Sequence, residues 1–378
     1  GSGGGIVVSQ FYGAQEDSNV KKCIVNTGMI MLIVPIFVGT FGFLVAPQFL
    51  QLLSTPTAIL ADAAIYTRYM CIGLLFVSLY NYLSAMLRAL GDSKTPLYFL
   101  IFSITLNIAL DILMVCVLKK GIQGAALATI FAQLISVVLC GFYAHSTNPY
   151  FQLQRTDIQF SGQMCHRVIR LGVPMSLQFG LIAISSMAVQ RIVNSYGTVV
   201  VAAFTATNRI EQLIHQPYTT LGASISTFSG QNFGAKRNDR VLSGYYAGIR
   251  IMVVLTVVLV LIMQFGGRTI TGLFVEDEAI IALGALGLRI TSLFYLALGM
   301  IYVIRGVLTG IGDAFFSLFN GIVEVIGRFT IPAWFCIYLG FGETGIWVSA
   351  GVVWVVSAIT AWIRYLTYFR RPMLREEA

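Results

Sequence analysis

Residues 121–144 read GIQGAALATIFAQLISVVLCGFYA, a run without a single Asp, Glu, Lys or Arg. A helix needs roughly 17 or more apolar residues to cross the hydrocarbon core of a bilayer, and this run is long enough. In lipid every backbone polar group must be satisfied inside the chain, so such a run is read as a spanning helix. Lys119 and Lys120 mark its outer edge. Further uncharged runs cover 69–87, 171–190, 192–208, 212–235, 251–267 and 344–363. Residues 23–61 are uncharged too but hold Pro35, Pro47 and Pro56, which predicts a break between Pro47 and Pro56.

Composition says the same. The chain has 378 residues, 57% hydrophobic and 11% charged. A soluble domain is about 25% charged. The lipid bilayer must be the solvent, and the protein is expected to be all-α, polytopic and multi-pass. The net charge of +8 is then loop charge that sets topology, not a nucleic-acid surface.

The spacing predicts ten helices, at 20–46, 58–88, 95–118, 122–145, 166–194, 197–230, 238–264, 277–308, 314–340 and 344–369, with the tail of another at 1–10. If these alternate, sixteen Lys and Arg fall on one side, Arg305 among them, and three (Lys119, Lys120, Arg268) on the other. The other five, Arg68, Arg191, Arg209, Arg289 and Arg328, lie within helices. That bias places the sixteen on the cytoplasmic side of the plasma (inner) membrane, with the C-terminus.

One shift of 221 positions aligns distant places without gaps. Gln10-Phe11-Tyr12-Gly13-Ala14 matches Gln231-Asn232-Phe233-Gly234-Ala235, and Gly91-Asp92 matches Gly312-Asp313. Gly121 and Gly124 match Gly342 and Gly345, and Arg68 matches Arg289. Two parallel homologous halves are a transporter architecture. The expected division is a first lobe at 1–145, a cytoplasmic linker at 146–165, a second lobe at 166–370 and a cytoplasmic tail at 371–378. About 55 residues of the second half, from near His166, precede the point that aligns with Gly1. The chain opens Gly1-Ser2-Gly3-Gly4-Gly5 without an initiator Met or a basic leader. A twelve-helix parent is expected, here lacking its first helix and most of its second.

Tyr12-Gly13-Ala14, Gly230-Gln231-Asn232-Phe233-Gly234-Ala235, Arg88-Ala89-Leu90-Gly91-Asp92-Ser93-Lys94-Thr95-Pro96 and Arg170-Leu171-Gly172-Val173-Pro174, in that combination, resemble the MATE (multidrug and toxic compound extrusion) transporters. The resemblance covers about residues 5–370. It implies two lobes around a central cavity and export of organic, often cationic compounds in exchange for Na⁺ or H⁺. It also implies no cofactor, and a monomer is expected to suffice. One branch of that family uses an acid in a first helix that this chain lacks. Another uses a Glu in the first helix of the second half, but helix 166–194 has no acid. That branch's Asp in the fourth helix of the half is matched here only by Asp277 and Glu278, at the outer edge of 277–308.

An ionisable side chain in the membrane costs about 2.5–3.5 kcal/mol on insertion scales, so each needs a partner or a wet cavity. Helix 197–230 carries Asn208, Arg209, Glu211, Gln212, His215 and Gln216. Glu211 with His215, and Asn208 with Gln212, share faces by their four-residue spacing. This helix should line a water-filled cavity between the lobes. Its carboxylate could attract an organic cation, bind Na⁺ or take up a proton; the alternative is a structural Arg209–Glu211 pair. Glu324 and Arg328 have the spacing of an ion pair within helix 314–340. Asp111 follows Asn107 by one turn, and these align with Pro332 and Arg328. That asymmetry points to a cation site at Asp111 and Asn107, or to a structural hydrogen bond. Na⁺ at Asp111 or Glu211 is the one metal interaction expected.

The six cysteines form no C-x-x-C pair and read as lone thiols. H-E-x-x-H, G-x-S-x-G and clustered His with acids are absent, which argues against a membrane-embedded enzyme. The Gly-rich start is not a dinucleotide motif, since no strand precedes it. A lipid-linked oligosaccharide flippase of the wider superfamily is the main alternative. It should carry several cations in its cavity, whereas Arg209 and Arg328 are the deep candidates and each has an acid nearby. A passive channel is disfavoured by a twofold repeat with buried acids.

Overall fold

The computed structural model describes residues 1–52 and 55–370. The expected tail at 371–378 lies outside the described residues. Twelve α-helices follow one another, and no strand occurs among the described residues. They are α1 (Ser2–Gly13), α2 (Asp17–Leu52), α3 (Thr57–Ala89), α4 (Lys94–Asp111), α5 (Gly121–Thr147) and α6 (Gly162–Asn194). Then come α7 (Thr198–Gly234), α8 (Asn238–Gly272), α9 (Glu278–Ser292), α10 (Tyr295–Gly310), α11 (Ala314–Ala333) and α12 (Gly345–Tyr365). Pro35 and Pro47 lie within α2, and the break falls just before Pro56.

Among the described residues eight helices are long and apolar enough to cross a membrane, or nine with the bent pair α9–α10. α7 fails that test because of the polar run from Asn208 to Gln216. Phe37, Phe142 and Phe265 stand exposed, which suits hydrocarbon and not water.

The reading of 277–308 as one helix is corrected. The chain bends by 50° between α9 and α10. Phe294 at the break packs on Gly351 of α12, where a Cβ would overlap its ring. The bend is therefore held by tertiary packing, and no proline or glycine at 293–294 announces it.

The contacts divide the chain into two compact units, Gly1–Arg170 and a second from Leu171 onward. Each repeats the other's local geometry. Gln15 and Lys236, with φ of 59° and 57°, end matching turns after α1 and α7. Gly91 and Gly312 take φ of 94° and 100°, where L side chains are strained. Asp92 accepts from the backbone N of Thr95 at 3.0 Å, as Asp313 does from that of Phe316 at 3.3 Å. Arg68 Nε donates to Phe43 O at 3.3 Å, and Arg289 Nε to Gln264 O at 3.1 Å. α4 widens into a π-helix at Ile112–Val117, and α11 does so at Trp334–Tyr338.

Within the first unit, residues 146–165 are fastened to α2 through Asn26, which is fully buried. Its amide donates to Gln159 O at 3.0 Å and accepts from Ser161 N at 2.8 Å. Lys21 pairs with Asp157 at 3.5 Å. Tyr150 donates to Asp17 at 2.6 Å, and that hydrogen bond pushes the phenol up to about 12. Within the second unit, α7 and α10 meet backbone to backbone. A Cβ on Gly306 would lie 2.6 Å from Gly222 O, so small residues set this spacing. Around that seam Tyr218, Tyr295, Leu298, Ile301 and Ile304 form the core.

Candidate functional site

Five helices of the second unit, α6, α7, α10, α11 and α12, enclose a cavity of about 790 Å³. Of the residues singled out above, Asn208, Glu211, Gln212, His215 and Arg328 line it. Gln216 and Thr219 extend the α7 face. The helical period of α7 turns Ile210, Ile214 and Tyr218 into the core while the polar set faces the cavity.

The walls are largely aromatic. Phe179, Phe204, Tyr302, Trp347 and Trp354 contribute rings. His215 Nδ1 lies 3.3 Å from Tyr302 Oη, and its ring meets Trp354 edge-on at 5.7 Å. Trp347 Nε1 donates to Thr207 Oγ1 at 3.1 Å, which fixes its indole. Both tryptophans are buried, so the rings present a rigid surface.

Oε1 of Glu211 is buried without a hydrogen-bond partner among the described residues. Arg209 is exposed, does not line the cavity, and makes no ion pair with Glu211. The Arg209–Glu211 pair is thus corrected: residues two apart on a helix point to different faces.

The Glu324–Arg328 pair is corrected as well. Glu324 is buried and pairs with Arg305 of α10 at 3.0 Å. Arg305, counted above as a cytoplasmic loop charge, instead lies inside α10 with its side chain 15% exposed. Its Nη2 also donates to Asn320 Oδ1 at 2.6 Å. With its amide turned to face the guanidinium, Gln178 accepts from it too. Asn320 in turn donates to Ser357 O and Thr360 Oγ1, both at 2.9 Å. This network engages Glu324 and leaves Arg328 to the cavity. Gln178, Asn320 and Arg305 were missed from the sequence. Arg305 aligns with Ser84, which is buried inside α3, and that correspondence could have marked it as interior.

Asp111 and Asn107 belong to the first unit. Asn107 Nδ2 donates to Thr129 Oγ1 of α5 at 3.4 Å. Asp111, the last residue of α4, buries Oδ1 without a partner among the described residues. A free carboxylate oxygen with the Asn107 amide one turn before it offers oxygen ligands of the kind hard cations take.

Comparison with known proteins agrees with this architecture. The family model described as MatE matches residues 1–113 and 174–331, one stretch in each unit. The chain is 31% identical over 363 residues to the probable multidrug resistance protein YpnP of Bacillus subtilis (strain 168), covering 95% of this chain and 80% of that protein. It is 23% identical to the multidrug export protein MepA of Staphylococcus aureus (strain N315), covering 99% of this chain and 82% of that one. A crystal structure of MATE in the bent conformation superposes with a TM-score of 0.94 at 19% identity, covering 100% of this chain and 84% of that chain. A family model spanning most of the chain, two homologous helical units and a polar cavity in one of them lead to one conclusion: this protein belongs to the MatE family of multi-pass membrane transporters.

Proposed function

We propose that the protein expels small organic, often cationic compounds across the plasma membrane, in exchange for Na⁺ or H⁺, by alternating access between its two lobes. The observation that carries this reading is Glu211. An acid with an unpartnered oxygen, in an aromatic-walled cavity, is costly to keep unless a cation or proton completes it. The named relatives include multidrug resistance and export proteins, which agrees with organic cargo.

Asp111, with Asn107 one turn before it, is the proposed coupling-ion site of the first unit. The ion is cargo here and no cofactor is required. The charge bias, with Arg305 set aside, supports a cytoplasmic side for residues 146–165 and the C-terminus, and a single copy of the chain is proposed as the working unit. A flippase is not favoured, because the cavity holds one arginine together with an acid instead of a cluster of cations.

The test is dye movement in vesicles carrying the protein, with ethidium as cargo, under an imposed pH gradient and then an imposed Na⁺ gradient. One of the two should drive ethidium against its own gradient. Movement indifferent to both would end the antiport reading.

A further inference from the structure

The uncharged run 251–267 of α8 is bounded by an arginine at each end, Arg250 and Arg268. At 1.5 Å per residue the run is about 25 Å long, close to the hydrocarbon thickness of a bilayer, so each arginine stands at the level of lipid headgroups. The protein treats its two ends differently. Arg268 pairs with Glu278. Arg250 is exposed and forms no ion pair among the described residues. Its Nε donates to Tyr246 O of its own helix at 3.4 Å.

Tyr246, 42% exposed, stands one turn before Arg250, and Val254, Val257, Leu261 and Phe265 continue the same face as an exposed apolar stripe. Behind Tyr246 is an aromatic stack. Its ring meets Tyr245 edge-on at 5.3 Å, and Tyr245 stacks on Tyr365 of α12 at 4.4 Å. The stack brings in a second cation. Arg370, in the turn that follows α12, acts electrostatically on both Tyr245 and Tyr365. Arg370 also lacks an ion pair among the described residues. Tyr365 Oη is buried without a hydrogen-bond partner among them. Two guanidinia and an unused phenol donor thus gather with no acid paired to them.

We infer that α8 and the end of α12 form a binding site for an anionic phospholipid, with its phosphate between Arg250 and Arg370 and its acyl chains along the stripe from Val254 to Phe265. A guanidinium matches a phosphate in bidentate geometry, and tyrosine favours the headgroup level. A zwitterionic lipid would bring its own ammonium against the same two cations, so a headgroup of net negative charge is selected. The site is separate from the cargo cavity, which α8 does not line.

Native mass spectrometry of the purified full chain, released from neutral detergent with equimolar dioleoylphosphatidylglycerol and dioleoylphosphatidylcholine, tests this assignment. The first lipid retained should be phosphatidylglycerol, by about thirtyfold, at about fivefold for each arginine near a headgroup. Arg250→Gln and Arg370→Gln should each lower that preference about fivefold, and together should remove it. Arg250→Lys should keep part of it, and Arg268→Gln should leave it unchanged. Equal retention of the two lipids by the unaltered protein, full preference in the double variant, or an equal loss in Arg268→Gln would overturn the assignment. So would displacement of the lipid by glycerol phosphate at the same concentration, since the site would then recognise free phosphate and not a membrane lipid.

Discussion

Arg305 of α10 donates through Nη2 to Glu324 of α11 at 3.0 Å, and the positions 221 earlier hold Ser84 and Ser103. One half carries a buried ion pair where the other carries two small hydroxyls. Removing one member of such a pair leaves an uncompensated charge, so Glu324→Ser should lower stability by about 3 kcal/mol. Making Arg305→Ser as well should restore part of the loss, because no lone charge then remains. Unfolding in detergent measures both. A double variant less stable than Glu324→Ser would refute this account of the pair.

Glu211→Gln keeps the shape of the side chain and removes its charge. Ethidium movement should fall about tenfold or more, and ethidium binding should weaken with it. Asp111→Asn should also slow movement under a gradient but leave ethidium binding in place, because Asp111 is assigned to the ion and not to the cargo. Unchanged movement in both variants would remove both sites.

Asn26 ties the 146–165 segment to α2. Asn26→Ala breaks four hydrogen-bonding contacts, to Lys22, Gln159, Ser161 and Cys165. Groups left unpaired in a buried position cost about 1–3 kcal/mol each, enough to release the segment. Trypsin should then cut at Arg155 markedly faster, and cleavage as slow as in the unaltered protein would show that other contacts hold it.

Gly351→Ala places a methyl group in the Phe294 ring. Overpacking of this kind costs about 1–3 kcal/mol. Phe294→Leu in the same chain should relieve most of that. Equal melting of Gly351→Ala and the unaltered protein would mean that the bend between α9 and α10 yields freely.

Periodic features were legible in the sequence, and long-range ones were not. The shift of 221 found the repeat, and the structure repeats even its hydrogen bonds, as Arg68 to Phe43 and Arg289 to Gln264 show. The polar face of α7 was legible from spacing alone. Spacing failed at Glu324, because it ranks only neighbours along one helix. The partner that won, Arg305, is 19 residues away on another helix. The bend at Phe294 was invisible because its cause, Gly351, lies in α12. Thr129 was missed as the partner of Asn107 for the same reason, since it is carried by the next helix.

The widened turns at Ile112–Val117 and Trp334–Tyr338 give the molecule a chronology. An extra residue per turn at the same point of both halves is most simply inherited from one ancestor, so it predates the duplication that made two halves from one. The arginine and glutamate at 305 and 324 face serines at 84 and 103 in the other half, so that difference arose after the copies began to diverge.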